Sequence, residues 1–170
     1  MAGSKLNGTI TARYLFGAPM SSRPVKWTYS KQPAYDVPRP IRERFGEDHW
    51  RFLGEDWEHP RSAITINSDE QKLDARGQLK LALATDLVAG VPWTYRLEGN
   101  VTDISRQQLA NRSGFRIDPA PWYIGVKSPP YFADAGKGID TAFVAAAIDG
   151  TAAAGVSGGI GLHRIQWNPV

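Results

Sequence analysis

Two neighbouring clusters collect the residue types that can hold a divalent ion. Glu47-Asp48-His49 and Glu55-Asp56-Trp57-Glu58-His59, each preceded by glycine (Gly46 and Gly54), offer carboxylate oxygens and imidazole nitrogens in an echoed pattern. Their spacing matches no defined ligand motif such as an EF-hand loop, which favours solvated loop charges. The same acids suggest a second chemistry, since paired carboxylates work on either side of a glycosidic bond and tryptophan faces stack on sugars. Trp27 and Trp93 alternate within strand patterns and are expected in a core, so sugar binding would fall to Trp50, Trp57 and Trp122 as an exposed row. Gly155-Val156-Ser157-Gly158-Gly159-Ile160-Gly161 has the glycine density of a phosphate loop. Such a loop needs a helix start behind it. Here Leu162 to Trp167 reads as strand and no Gly-Lys-Ser/Thr follows, so the small residues are expected where another backbone approaches. The three His are accompanied by no Gly-x-Ser-x-Gly elbow. Asn7-Gly8-Thr9, Asn100-Val101-Thr102 and Asn111-Arg112-Ser113 fit the glycosylation acceptor pattern, which is too short to carry a conclusion. The residues thus predict no catalytic, cofactor-binding or metal-binding site, and no enzyme.

Composition narrows the classes further. The 170 residues are 42% hydrophobic, enough for a packed core. Cysteine is absent, which excludes disulfides, a thiol nucleophile and Cys-based zinc sites. The net charge of +3 comes from scattered bases. The one local cluster, Arg39, Arg42 and Arg44, is interrupted by Glu43 and Glu47, unlike the concentrated basic face of a nucleic-acid groove. The longest apolar stretch, Ala142 to Ile148, is strand-sized and far short of the ~20 residues of a membrane span. Met1-Ala2-Gly3-Ser4 reads as an expression scar, so any native signal is expected to have been left out.

The elements that must position these residues read as strands. Ile10, Ala12 and Tyr14 alternate with Thr9, Thr11 and Arg13; after Phe16-Gly17-Ala18-Pro19, Val25, Trp27 and Tyr29 alternate with Lys26, Thr28 and Ser30. The pair is expected to form an antiparallel hairpin around the Gly-Pro turn. Pro33, Pro38 and Pro40 predict an extended loop with no helix over 32–47. A short strand at Ala63 to Ile66, a polar stretch from Asp69 ending in a turn at Leu73 to Gln78, and a strand at Leu79 to Ala84 follow. Trp93, Tyr95, Leu97, Gly99 and Val101 give the clearest inward face, and Gln108 to Ile117 returns after a turn at Asp103 to Gln107. Pro119 and Pro121 mark a boundary. Beyond it, strands are expected at Trp122 to Val126, at Thr141 to Ile148 (apolar on both faces, hence buried or at an interface) and at Gly155 to Trp167. The fold class is therefore all-β: an immunoglobulin-like antiparallel sandwich over 5–117, then part of a second sandwich over 118–170. An incomplete second sandwich is expected to expose Ala142, Val144 and Ile148 or to cover them by self-association or strand exchange.

Several of these motifs, in this order, resemble the bacterial alpha-2-macroglobulin-like proteins. Ala12-Arg13-Tyr14-Leu15-Phe16-Gly17-Ala18-Pro19 with Pro24-Val25-Lys26-Trp27 is similar to the opening of one of their macroglobulin-like domains. Leu73-Asp74-Ala75-Arg76-Gly77, Gly99-Asn100-Val101-Thr102-Asp103 and Ser105-Arg106-Gln107 resemble later strands and turns of that domain. Trp122 to Val126, Ala147-Ile148-Asp149-Gly150 and Leu162-His163-Arg164 resemble the start of the next. The Pro/Arg stretch 33–44 and the Gly-Glu-Asp echo depart from the pattern. Such proteins trap proteases: cleavage of a bait region rearranges the chain, and in thioester-bearing members a Cys-Gly-x-Gln thioester then reacts with the protease. A chain without cysteine contains no thioester, and the bait is expected beyond Val170. The resemblance implies a non-catalytic scaffold that positions the bait and thioester regions. It also implies a periplasmic or cell-envelope parent, whose partners are its own neighbouring domains and whose targets are proteases. A carbohydrate-binding or adhesion sandwich is the alternative.

Overall fold

The computed structural model describes residues 3–46, 49–54, 62–86, 91–127, 132, 134, 136–161 and 166. In chain order the elements are β1 (Lys5–Thr11), β2 (Pro24–Pro33), α1 (Arg39–Phe45), β3 (Trp50–Arg51), β4 (Ile64–Lys72), β5 (Gln78–Ala84), β6 (Trp93–Thr102), β7 (Gln108–Ile117), β8 (Trp122–Lys127) and β9 (Phe143–Ala147). They fall into two compact units, one of residues 1–37 and 53–121, the other of residues 38–52 and 122–170.

The first unit is an antiparallel sandwich. A four-stranded sheet in the order β4-β2-β6-β7 faces a two-stranded sheet, β1-β5. Period-two side chains build the core. Trp27 and Tyr29 of β2 and Trp93 and Tyr95 of β6 meet Leu81 and Leu83 of β5. Tyr95 stacks on both Tyr29 (ring centroids 5.7 Å apart) and Phe115 (5.6 Å). Met20, Val25, Leu73 and Val101 form a second buried cluster. Burying one such side chain contributes about 1.5–3 kcal/mol, so these clusters are the main stabilising term.

The Asp74 and Asp103 turns share one construction. Asp74 accepts the N–H groups of Arg76 and Gln78 on one carboxylate oxygen, at 2.8 Å each, and Asp103 accepts that of Gln107 at 2.8 Å. Gly77 supplies the positive φ of +70° in the first. Arg106 takes that conformation in the second, with φ 63°.

Two sequence expectations fail here. β1 and β2 do not form a hairpin: β1 pairs with β5, and β2 with β4 and β6. Both strands carry an apolar face, and placing them in opposite sheets buries the two faces against each other. The 12–20 arch instead closes onto the Asp74 turn, with Ala12 N–H on the Gly77 carbonyl (2.9 Å) and Met20 N–H on the Ala12 carbonyl (3.1 Å). The strand at Ile64 also runs on through the polar residues to Lys72, paired with Pro24 to Lys31 across a bulge at Tyr29/Ser30. β4 is exposed along its whole length, so backbone pairing rather than apolar alternation makes it a strand.

The second unit carries a three-stranded antiparallel sheet, β3-β8-β9. The Pro-rich stretch, expected as an extended loop, contains helix α1. Pro40 lies in its first turn, where the missing N–H has no intrahelical partner to lose. Ile41 is fully buried. Phe45, one turn on, meets Trp50 edge-on (6.2 Å) and Phe52 (5.6 Å). A Cβ on Gly125 would lie 2.7 Å from the Phe52 ring, and one on Gly150 would lie 2.8 Å from the Pro40 carbonyl. β8 and β9 stand where strands were expected. Residues 155–161, expected to open a last strand, form none: Gly155 turns at φ +73°, and the small residues beyond it have little side chain to hold a ladder.

Candidate functional surfaces

The echoed acids lie mostly outside the described residues: Glu47, Asp48, Glu55, Asp56, Glu58 and His59 are not among them, and His49 is exposed with φ 58°. Among the described residues no group of three or more His, Asp or Glu gathers as a metal site. No described helix is long and apolar enough to cross a membrane.

Of the tryptophans, Trp27 and Trp93 are buried, at 4% and 5% exposure. Trp50 and Trp122 are half-buried, and Trp57 lies outside the described residues. The described tryptophans thus form no flat exposed row. The Gly155–Gly161 segment walls an apolar cleft of about 510 Å³ with Ile124, Val126, Phe143 and Ala145; Leu162 to Ile165, which follow it, lie outside the described residues. Of the residues expected to be exposed, Ala142 and Ile148 (39%) are open to solvent and Val144 is half-buried; Phe143 is 44% exposed.

One polar cluster was not anticipated. Lys31 is 8% exposed, and its ammonium pairs with the Asp86 carboxylate while lying 4.6 Å over the Trp93 ring. Asp86 N–H donates to the Tyr95 hydroxyl at 2.9 Å, and the Tyr29 hydroxyl donates to the Ala84 carbonyl at 3.1 Å. Burial, with Tyr95 and the Asp86 carboxylate nearby, pushes the Tyr29 hydroxyl up to about 12. The parity of β2 held the signal: Lys31 continues the inward series Val25, Trp27, Tyr29. A cation paired with a carboxylate, capped by an indole and largely shut from water is a latch at one end of the sandwich.

The first unit also carries a groove of about 460 Å³ between β1 and β7, lined by Ile10, Arg13, Leu97, Leu109, Asn111 and Ser113 among others. Its walls are mixed polar and apolar, and Arg13 donates to the Gly17 carbonyl at 3.1 Å. The groove brings together no acid, base and nucleophile.

No family model matches the sequence. A curated alpha-2-macroglobulin homolog of Nostoc sp. is 29% identical over 172 residues, covering 99% of this chain and 9% of that protein. Among solved structures, native Escherichia coli alpha-2-macroglobulin matches 88% of the chain with a TM-score of 0.62 at 13% identity. The trypsin-activated E. coli protein matches 87% with a TM-score of 0.59 at 13% identity. Salmonella alpha-2-macroglobulin reacted with methylamine matches 84% with a TM-score of 0.58 at 16% identity. The fold is thus the macroglobulin-like β-sandwich of these proteins. Together with the likeness to the Nostoc homolog along 99% of this chain, this bears out the motif resemblance: the chain is similar to a segment of alpha-2-macroglobulin-like proteins. It spans about a tenth of the length of the proteins it matches, 9% to 11%.

Proposed function

We propose that this chain is a non-catalytic scaffold segment of a bacterial alpha-2-macroglobulin-like protease-trapping protein. It holds the bait region of its parent, and a thioester region where the parent has one, in register from the periplasm or cell envelope. In this reading 5–117 is one macroglobulin-like domain and 118–170 supplies the first strands of the next, with 38–52 built into the second unit. Its partners are the neighbouring domains of the parent, and proteases are targets of the full-length protein only. The observation that supports this most is the match along 99% of the chain, across both units. The half-buried state of Trp50 and Trp122 weighs against the carbohydrate-binding alternative.

The test uses the full-length parent carrying Tyr95→Ala, which empties the core beneath Tyr29 and Phe115. Bait cleavage should proceed at the wild-type rate while the fraction of protease retained falls. Wild-type retention with the segment shown to be unfolded by hydrogen exchange would overturn the proposal.

A further inference from the structure

We infer that one end of the first unit, the end that carries the 12–24, 72–78 and 102–108 turns, docks onto an anionic phospholipid bilayer. The contact is peripheral: apolar tips enter the interface and a basic collar meets the headgroups. It goes beyond the scaffold reading and stands on the composition of this end alone.

The hydrogen bonds bring the three turns together. β2 starts at this end, with Pro24 paired to Lys72 of β4 and Val25 opposite Val101 of β6. Ser22 N–H donates to the Leu73 carbonyl (3.1 Å) and Leu73 N–H to the Arg23 carbonyl (3.0 Å), and the 12–20 arch closes onto Gly77. The turn that follows Val101 is that of Asp103. On these turns stand the three most exposed large apolar side chains among the described residues of the first unit: Leu15 at 109%, Phe16 at 80% and Ile104 at 69%. Apolar side chains gathered in this way mark an interaction surface.

The backbone presents the tips rigidly. Tyr14 N–H donates to the Ala18 carbonyl (2.9 Å) and Gly17 N–H to the Tyr14 carbonyl (2.8 Å), and the Phe16 ring stacks on that of Tyr14 with centroids 5.3 Å apart. The Ile104 turn is closed by Asp103 N–H on the Gln107 carbonyl (2.9 Å) and by the Asp103 carboxylate on Gln107 N–H. Turns already held in one shape lose little freedom on binding.

The same three turns are basic. Arg13 and Arg23 lie in the first, Lys72 and Arg76 in the second and Arg106 in the third, against two acids, Asp74 and Asp103. Five against two is a net +3, equal to that of the whole chain. Of the cations all but Arg23 are exposed, and the described ion pairs include none of the five. Each of the two carboxylates accepts N–H groups of its own turn.

Shape selects the partner. The tips stand on separate turns rather than on one flat face, and nothing lies within 4 Å of a Cβ placed on Gly17, beside Phe16. A protein would need a matching pocket for each tip. A fluid interface closes around separated tips without such complementarity, and anionic headgroups answer the excess of cations.

The experiment is co-sedimentation of this chain, and of the full-length parent expressed without any lipid anchor, with phosphatidylcholine vesicles that contain or lack about one-third phosphatidylglycerol. Both proteins should bind the anionic vesicles at least ~10-fold more tightly than the neutral ones, and about 0.5 M salt should remove that difference. Leu15→Ser with Phe16→Ser should weaken binding on the order of 100-fold without moving the urea midpoint, since both side chains lie outside the buried clusters. Arg76→Gln and Arg106→Gln should each cost about fivefold. Ile64→Ser, which removes an exposed apolar side chain at the opposite end of β2, beside Lys31, should change nothing. Equal affinity for both vesicle types, or a tip variant that binds like the wild type, would overturn the proposal. So would binding by this chain and not by the parent, because the parent's own domains would then cover this end. A tip variant that leaves vesicle binding intact but dissociates a self-associated chain in sedimentation would assign the tips to a protein partner and overturn it as well. Any of these failures leaves the protease-retention test of the scaffold reading untouched.

Discussion

Gly77 offers the sharpest test of how the two sheets are joined. Its φ of +70° is one that alanine adopts only at a cost of about 1–2 kcal/mol. Space adds a second cost. A Cβ there would lie 2.5 Å from the Ala12 carbonyl oxygen and 3.0 Å from the Met20 nitrogen, both backbone atoms that cannot rotate away. Either the turn or the arch must move. The move loosens the Ala12 N–H bond to the Gly77 carbonyl, worth about 0.5–1.5 kcal/mol, and disturbs buried Met20. Gly77→Ala should therefore cost about 2–4 kcal/mol. Gly17 is the internal control: its φ is +91°, but nothing lies within 4 Å of its Cβ position. Gly17→Ala should show the conformational cost alone, and both variants share the ~0.4–1 kcal/mol by which alanine restricts the unfolded chain. Urea unfolding, followed through the buried Trp27 and Trp93, measures both. Gly77→Ala must be the more destabilising by at least ~1 kcal/mol, about fivefold in the unfolding constant. Equal losses would refute the argument that glycine is required there for the close approach of two backbones.

Other consequences are as direct. Asp86→Ala leaves the buried Lys31 ammonium over Trp93 without its carboxylate and should cost about 1–3 kcal/mol, the lower range reflecting the 47% exposure of Asp86; Lys31→Met in that background should recover most of it, read as a double-mutant cycle in urea. The Tyr29 hydroxyl is held at about 12 against an ordinary 10, so the folded state binds its proton more tightly. Its contribution is complete below pH 10 and is lost as pH rises through 12, by at most about 2–3 kcal/mol; Tyr29→Phe should remove this share of the alkaline fall in urea midpoint. Residues 118–170 alone should stay unfolded by circular dichroism and amide exchange, whereas linking 38–52 to them should restore β3-β8-β9, because α1, β3 and Phe52 supply part of that unit's packing.

What was legible in the sequence followed local chemistry. The alternation of β6, with Trp93, Tyr95 and Val101 buried, was plain because its two faces differ in polarity. The turns at Asp74 and Asp103 were plain because an aspartate that bonds its own backbone signals itself by type and spacing. What failed was set at a distance. From Asn67 onward β4 is polar on both faces, so no period marks that part; it is strand because β2 offers a partner. α1 hid behind three prolines, which bar a helix interior and not its first turn. The β1/β2 hairpin failed because a sharp turn between two alternating runs fits an arch between sheets as well as a hairpin within one. As to sites, the tryptophan core was legible, while the Lys31 latch required taking a charged residue's parity seriously despite its charge.

The same distinction separates the two units. In the sandwich, each buried face finds its complement among the described strands except over β7, where Leu109 stays open. In the second unit, Ile124, Val126 and Phe143 line an open cleft whose other wall is a glycine-rich segment. Burying one such side chain is worth about 1.5–3 kcal/mol, so leaving several half-covered forfeits stabilisation that a complete domain would have. Carrying such uncovered surface is a liability in isolation and an asset in a multidomain chain, where a neighbouring segment can claim it. A scaffold built of successive sandwiches has that economy: each uncovered strand edge or apolar cleft specifies where the adjoining chain must lie.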